Sequence, residues 1–594
     1  MKPTTNKLYL VLFMALSFFA ISAKAQQNQD VINQQDWITR NQQNVLEEKK
    51  RDLEFETIEK ERARKKEEED EWQKLGQPSI LGESSTCFLI QEIRMTDANS
   101  LSQFRKKKII APFIGKCLDP KLLGDIIAAV NGYYQGKGYV TTQVLVPKQN
   151  LQNGILELKI IEGKIEKISL GKDRAIEKMQ KFTAFGNAEG DVLNINDINQ
   201  GMYQINRLQS NSVVMKIEPG SSSGNSKIVI DNDKKFPAHF TAGVDNLGNE
   251  FTGTQRSNFT SSFDNLLFLN DNLNLSYTTN LHDDSGSKDI KSFMGGISIP
   301  FKYNTFSYDY SRSEFRGHNP GQTALFTGFS YLRKLTIDHV FLNQTNFRFS
   351  TNASLAAKES ASYLGGVLND NSKRKLTIIN VGFVVSSYLD DTTNIYIKPS
   401  YSRGLKILNS QQDQPNLDTD VAKAQFQVFK LYASASKKLI IPNLNAPLTL
   451  TTEMDSQLAR DTLFGSEQFS VGGYYSVRGF CEDYISGDSG YYLRNKAIFN
   501  VGSVLLPLIK KENLGYWAQL NKFKLEPFYD YGHVKNKFNS DSGRMAGAGV
   551  KTTFESRHFN ASVTYGQALQ KSKLINSTVK ENKMVYFELS ASCC

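Results

Sequence analysis

From about Phe236 to the C-terminus, some 360 residues repeat one pattern: short segments in which apolar and polar residues alternate. Leu273, Leu275 and Tyr277 interleave with Asn272, Asn274 and Ser276. Phe306, Tyr308 and Tyr310 interleave with Ser307, Asp309 and Ser311, and Phe559, Ala561, Val563 and Tyr565 follow the same rule. A period of two places one residue type on each face of a strand. A soluble β-sandwich also alternates, but such a domain takes about 100 residues, far fewer than this stretch. A membrane barrel with a wet lumen needs an apolar outer face, a polar inner face and a closed ring that leaves no backbone group unpaired. The 62 Tyr and Phe, three Trp and 41 Gly of the chain suit an all-β segment of this kind. Beyond the N-terminal leader no apolar run reaches eighteen residues, so a helical membrane span is excluded.

The leader is residues 1–25. Lys2 and Lys7 precede an apolar run from Leu8 to Ile21, and Ala23-Lys24-Ala25 supplies a small-x-small cleavage site. This is the pattern of a secretory signal peptide, and the mature chain would begin at Gln26. Removing three leader lysines reduces the formal net charge from +10 to +7. That excess is small for so long a chain, and no recognition motif accompanies it, so nucleic acid is not an expected partner. Residues 26–84 are a different material. Trp37, Ile38, Val45 and Leu46 are the few apolar residues of a short amphipathic stretch. From Glu47 to Glu71, twenty of twenty-five residues are charged, twelve acidic and eight basic. Mixed signs at helical spacing fit either a solvated helix held by i,i+4 pairs or a flexible charged linker.

Two small α+β units follow, at 85–162 and 163–234. In the first, Cys87 to Ile93 alternates as a strand. Pro120 to Gln135 reads as a helix with Leu122, Leu123, Ile126, Ile127, Val130 and Tyr134 on one face. Gly138 to Pro147 reads as a β-branched strand, and Ile155 to Ile161 alternates strictly. The second unit has a strand at Lys164–Leu170, a helix at Asn196–Leu208 and closing strands at Ser212–Ile217 and Lys227–Ile230. The last domain, 235–594, is the alternating segment.

Within that segment Ser470-Val471-Gly472-Gly473-Tyr474-Tyr475-Ser476-Val477-Arg478-Gly479-Phe480 suits a tight loop, because glycines flank a lone arginine among small and aromatic residues. An arginine in a confined place needs a partner, and its planar fork favours a carboxylate. Phe528-Tyr529-Asp530-Tyr531-Gly532, about fifty residues on, offers one.

Together these motifs resemble a known family. Val477, Arg478, Gly479 and Phe480 with Asp530 are similar to the lumen loop and wall motif of outer-membrane secretion proteins that carry periplasmic POTRA domains. Gly-Lys-Gly-Tyr-Val-Thr-Thr-Gln-Val at 136–144, Ile161-Glu162-Gly163-Lys164-Ile165, Gln200-Gly201, Asn206-Arg207-Leu208 and Pro219-Gly220 look like the two POTRA domains themselves, in the right order. The segment Val244 to Gly253, with Asp245, Asn246 and Gly248, is similar to the family's first barrel strand. Ser486 to Asn495 is similar to the strand after the arginine loop. The chain is thereby identified as a member of the two-partner secretion transporters, of the haemolysin-activator or filamentous-adhesin exporter type.

The resemblance implies α+β POTRA domains followed by a transmembrane antiparallel barrel of roughly sixteen strands. It implies a plug helix near residues 30–46, placement in the outer membrane with the POTRA domains in the periplasm, and Arg478 held by Asp530 inside the lumen. The implied partners are a large secreted exoprotein, bound through its N-terminal secretion domain, outer-membrane lipid, and the barrel-assembly machinery during biogenesis. Two alternatives are an insertase that assembles other barrels and a surface adhesin barrel with no transport role. The sequence departs from the family at Lys496, where a glutamate is usual, and at Cys593-Cys594, where the final strand is expected to end in an aromatic.

Cys87 and Cys117 both fall in the first unit of an exported chain, where a bridge closing some thirty residues would add about 3–4 kcal/mol. Two buried free thiols are the alternative. Cys481 has no evident partner. The histidines at 239, 282, 318, 339, 533 and 558 show no metal-ligand spacing. No nucleophile elbow or zinc-protease motif occurs, and Gly547-Ala548-Gly549-Val550-Lys551-Thr552 lacks the adjacent Gly-Lys of a phosphate loop. No cofactor, metal or catalytic residue is expected, and no enzyme activity.

Overall fold

The computed structural model describes residues 34–66, 88–172, 174–282, 287–318, 325–442, 446–480, 483–505, 518–538, 541–574 and 583–593. The leader, Cys87, Cys481 and Cys594 lie outside the described residues. Helix α1 spans 34–66, about 50 Å at 1.5 Å per residue. Among the described residues no helix is long and apolar enough to cross a membrane.

In the first small domain, helices α2 (Gln103–Ile110) and α3 (Pro120–Gly136) cover a three-stranded sheet. Its central strand Ile155–Ile161 lies parallel to Glu92–Thr96 and antiparallel to Gln143–Leu145. Asp119 caps α3 by accepting from the Leu122 amide at 2.6 Å, and Pro120 takes the first position, where a missing N–H costs nothing. Ile126, Val130 and Tyr134, spaced by four, bury against Leu156, Leu158 and Ile160. Two strands are shorter than their sequences suggest. The chain switches partners at Ile90 and Gln91. Phe88–Leu89 pairs with Cys117–Leu118, whereas the amides of Gln91 and Glu92 donate to the Gly154 carbonyl. Of Gly138–Pro147 only Gln143–Leu145 joins the sheet, because Gly138 at φ 92° turns the chain and the Thr142 amide closes a turn onto Tyr139. Cys117 is disulfide-bonded.

The second domain pairs Asn225–Asn232, in the middle, with Lys164–Leu170 and Val213–Pro219. Its helices are α4 (Ala175–Phe185) and α5 (Ile195–Asn206). Helix α4 has no counterpart in the sequence reading, because its apolar residues do not mark the buried face.

The alternating segment closes into an antiparallel barrel of sixteen long strands. They are β1 (Ala238–Asp245), β2 (Arg256–Asp264), β3 (Asn272–Asn280), β4 (Asp289–Phe301), β5 (Asn304–Gly317), β6 (Phe326–Asn343), β7 (Phe347–Leu364) and β8 (Arg374–Tyr388). There follow β9 (Thr393–Leu405), β10 (Gln427–Ile441), β11 (Ala446–Ala459), β12 (Ser489–Asn500), β13 (Phe523–Lys535), β14 (Ser542–Glu555), β15 (Phe559–Gln570) and β16 (Lys583–Cys593). A two-residue strand, Val367–Leu368, turns back on β7. β16 pairs with β1 from Glu588↔Asp245 to Cys593↔Phe240, which removes both free edges. β1 leaves the second domain, so odd-numbered strands run away from it. The loop from 460 to 488, after β11, therefore starts at the far rim. The near rim rests on the second domain. The Lys302 amide donates to the Thr183 carbonyl at 2.8 Å, Gln204 Nε2 donates to the Lys302 carbonyl at 2.9 Å, and Arg207 Nη1 donates to Ser298 Oγ at 2.6 Å.

Candidate functional site in the barrel lumen

The far-rim loop folds back into the barrel. A short hairpin of Phe469–Val471 with Ile485–Gly487 carries the tip inward. At the tip the Arg478 guanidinium meets Asp530 of β13 in a bidentate pair, Nε to Oδ2 at 2.7 Å and Nη2 to Oδ1 at 2.8 Å. The Arg478 amide also donates to Oδ2 at 3.1 Å. The two side chains are 3% and 0% exposed. The guanidinium carbon sits 3.6 Å from the centre of the Phe528 ring, so one face of the ion is covered by an aromatic. Val477 and Phe480 bury on either side with Val471, Ile485 and Met545, and Tyr586 Oη of β16 donates to the Phe480 carbonyl at 2.6 Å.

Glycines in two places make this fit. Gly479 stands at φ 104°, where an L side chain is strained. Across from it a Cβ on Gly547 of β14 would lie 1.8 Å from the Arg478 carbonyl oxygen. Loop backbone and wall backbone touch there, which only a residue without a side chain permits.

Asp245, at the end of β1, accepts from Arg256 Nε at 2.8 Å and from the Leu247 amide at 2.9 Å. Arg256 also hydrogen-bonds Tyr475 of the loop. Asn246 continues the closing seam where the ladder stops. Its Nδ2 donates to the Val585 carbonyl and its Oδ1 accepts from the Phe587 amide, both at 2.8 Å. Gly248 lies in the turn that follows, where a Cβ would approach the Gly253 carbonyl to 2.1 Å. The first-strand residues are thus linked to the arginine loop through Arg256 and to the last strand directly. Tyr474 completes the circuit with a hydrogen bond to Glu588 of β16, and Lys551 Nζ donates to Tyr474 Oη at 2.9 Å.

Helix α1 runs through the lumen from far rim to near rim. Arg40 Nη1 donates to the Gly465 carbonyl at the base of the loop (2.8 Å), and Ile38 packs with Phe251, Ile290, Phe315 and Phe326. Midway, Lys50 pairs with Asp309, Tyr396 Oη donates to Glu54 Oε2 at 2.8 Å, and Arg51 lies 4.3 Å from the Tyr432 ring. At the near rim Arg62 reaches Asp391 at 2.9 Å, and Lys65 Nζ donates to the Asn343 carbonyl at 2.9 Å. The helix thus includes residues 47–66, which the sequence alone leaves between a solvated helix and a linker. Lys496 points to Glu453 at 2.9 Å, while Arg494 lies between Glu453 at 4.0 Å and Glu48 of α1 at 3.6 Å. In place of a carboxylate at position 496, Glu453 of β11 and Glu48 of α1 face these cations. Glu588 and Tyr586 were not singled out by sequence, although they occupy the polar phase of β16 opposite Val585, Phe587 and Leu589. Among the described residues no cluster of His, Cys, Asp and Glu could hold a metal.

A barrel with two α+β domains at one rim, an inner helix and an inward loop locked by an arginine defines a POTRA-bearing outer-membrane transporter. Residues 224–554 match the haemolysin secretion/activation proteins ShlB/FhaC/HecB. Residues 88–163 match the ShlB-type POTRA domain and residues 164–219 a further POTRA domain. The outer membrane transporter CdiB of Dickeya dadantii (strain 3937) is 31% identical over 486 residues, covering 81% of this chain and 82% of that protein. The hemolysin transporter protein ShlB of Serratia marcescens is 28% identical over 453 residues, covering 74% and 79%. The solved structure of CdiB from Escherichia coli superposes with a TM-score of 0.78 at 26% identity, covering 94% of this chain and 98% of that one. The chain belongs to the haemolysin secretion/activation family. It is a two-partner secretion transporter of the outer membrane with its POTRA domains in the periplasm, and it serves the export of a large partner protein.

Proposed function

We propose that this structure is the plugged state of the exporter and that α1 leaves the lumen for the cargo to pass. The POTRA domains receive the cargo's unfolded N-terminal secretion domain by strand addition, a mode in which backbone hydrogen bonds supply affinity without demanding sequence. The edge strands of the two sheets are Glu92–Thr96 and Gln143–Leu145 in the first domain and Lys164–Leu170 and Val213–Pro219 in the second. Arg478, held by Asp530, keeps the loop tip on the inner wall while the chain moves past, and folding of the cargo outside gives the movement its direction. Asp245, Asn246 and Gly248 hold the barrel's closing seam. The apolar outer band faces outer-membrane lipid, and β16, which closes on β1, is the strand that the barrel-assembly machinery engages.

The observation that carries this reading is the way α1 is held. It fills the lumen from rim to rim through ion pairs and single hydrogen bonds, and among its apolar residues only Ile38 and Ile58 are buried. The test is to lock it. A Cβ on Gly465 would lie 3.3 Å from the Asp36 Cβ, close to the spacing of a disulfide. Asp36→Cys with Gly465→Cys is expected to stop export of the partner under oxidising conditions and to restore it on reduction, with each single variant exporting throughout. Full export by the oxidised double variant would show that the cargo does not need the helix to leave.

A further inference from the structure

Helix α4 is built inside out for a domain that stands in water. Its buried residues include Glu177, Gln180 and Thr183, whereas Ile176, Met179 and Phe182 face outward at 38%, 47% and 43% exposure. These three recur every third residue along one face, the reverse of what a water-facing helix does with its apolar stripe. The inversion is fixed by partners. Glu177 closes a capping box on Arg174, and the Gln180 carbonyl and Thr183 Oγ1 accept from Asn270 Nδ2 of the β2–β3 turn at 2.8 and 2.9 Å.

That turn is itself unusual. Residues 265–271 present Leu266, Leu267 and Phe268 to the outside at 54%, 48% and 47% exposure. Turns at such sites ordinarily use Gly, Asn, Asp or Ser. The apolar residues are held in place, since the Asp271 carboxylate accepts from the amides of Leu267 and Leu269, and Phe268 is kept at φ 63°.

Both features lie at the near rim, and both continue the lipid-facing surface of the barrel. In β4, Ser292 faces the lumen and touches α1, so Phe293 and Phe301 face outward. Phe182 packs on Phe301 with ring centres 5.6 Å apart. The apolar band therefore passes without a break from the barrel wall onto α4. Lys172, Arg174 and Lys178 are exposed around it, the arrangement of an interfacial helix with cations at headgroup depth.

We propose that α4 and the 265–271 turn form a foot of the second POTRA domain seated in the periplasmic leaflet of the outer membrane. The phospholipid tails cover the six apolar side chains, and the flanking cations meet the phosphates. The foot fixes the domain beneath the rim. This rests on the barrel being in the membrane as described above.

The full chain in nanodiscs of phosphatidylethanolamine and phosphatidylglycerol, carrying a benzoylphenylalanine photocrosslinker at one position, tests this. Position 179 or 267 probes the foot, 293 the barrel wall, and 214 the open edge strand of the same domain, where Val214 is 53% exposed. Phospholipid-mass adducts at 179, 267 and 293, with loss of the adduct at 214, are expected. Adducts at 293 without any at 179 and 267 would overturn the foot and leave the barrel reading intact. Adducts of 179 or 267 to another polypeptide, or equal lipid labelling at 214, would also overturn it. No lipid adduct at 293 would overturn the placement of the barrel and the foot with it.

Discussion

Replacing Arg478 by alanine removes both guanidinium hydrogen bonds to Asp530 and the cover over Phe528, and leaves only the backbone amide at 3.1 Å. The carboxylate stays where it is, fully buried. Breaking a buried pair from one side costs about 3–5 kcal/mol, because an uncompensated charge remains. At about 1.4 kcal/mol per tenfold, the released form of the loop should become roughly a hundred to a few thousand times more populated. The barrel's backbone ladder is untouched by this change. Arg478→Ala is therefore expected to keep the heat-dependent gel mobility of a folded barrel, to become open to protease between Ser470 and Phe480 in isolated outer membranes, and to secrete its partner poorly. Arg478→Lys keeps the charge but not the fork, and should fall between. Removing both partners strands nothing, so Arg478→Ala with Asp530→Ala should be no worse for loop protection than either single change. Wild-type secretion and wild-type protection in Arg478→Ala would refute the anchor. So would a double variant whose loss equals the sum of the two singles.

Other expected outcomes follow from the same contacts. Gly547→Ala drives a methyl into the Arg478 carbonyl, an overpacking worth about 1–3 kcal/mol or more, and it should expose the loop to protease while the Arg478–Asp530 residues are intact. Asn246→Ala removes two hydrogen bonds across the closing seam, about 1–3 kcal/mol. It should lower the temperature at which the barrel loses its folded mobility, whereas Thr241→Ala, at the exposed Ser592 contact, should not. Lys496→Glu sets a carboxylate against Glu453 and competes for Arg494, which otherwise reaches Glu48 of α1. In planar bilayers its pore should open more often than the wild type, and an unchanged open fraction would remove position 496 from the plug's network.

Much of the architecture is legible in the sequence because alternation is a one-dimensional signal. The outward Phe306 and Tyr308 and the inward Asp309 follow from their order alone. The Arg478–Asp530 pair is legible for a different reason: Val477-Arg478-Gly479-Phe480 and Phe528-Tyr529-Asp530-Tyr531-Gly532 resemble the family's lumen-loop and wall motifs, and that resemblance implies the pair. What the sequence does not reveal are features whose logic is three-dimensional. Helix α4 buries Glu177 against Arg174, and Asn270 takes the Gln180 backbone carbonyl and the Thr183 hydroxyl, and no pattern along the chain announces those partners. Gly547 reads as one glycine of a Gly-rich strand until the Arg478 carbonyl is seen against it. The charged stretch 47–66 carries mixed signs that fit water or a polar lumen equally well, and only the wall residues Asp309, Tyr396 and Asp391 decide between them.

Loop and plug share the same lumen but differ in how far their ion pairs are exposed to water. The loop's anchor is dry, at 3% and 0% exposure, and each partner is expensive to strand. Several of the plug's ion pairs are wet, although Arg40, Glu61 and Lys65 are buried. Lys50 is 42% exposed beside Asp309, and Asp391 is 74% exposed beside Arg62 and Lys66. Exposed pairs of that kind contribute little each, because water replaces the partner when the pair opens. A helix held by many such contacts is stable in place and loses little at each contact as it withdraws. A loop whose tip is anchored by a buried bidentate pair, with apolar packing and hydrogen bonds around it, is held in place far more firmly. An exporter that must clear its lumen without losing its inner wall has reason to use the wet set for the part that moves and the dry pair for the part that remains.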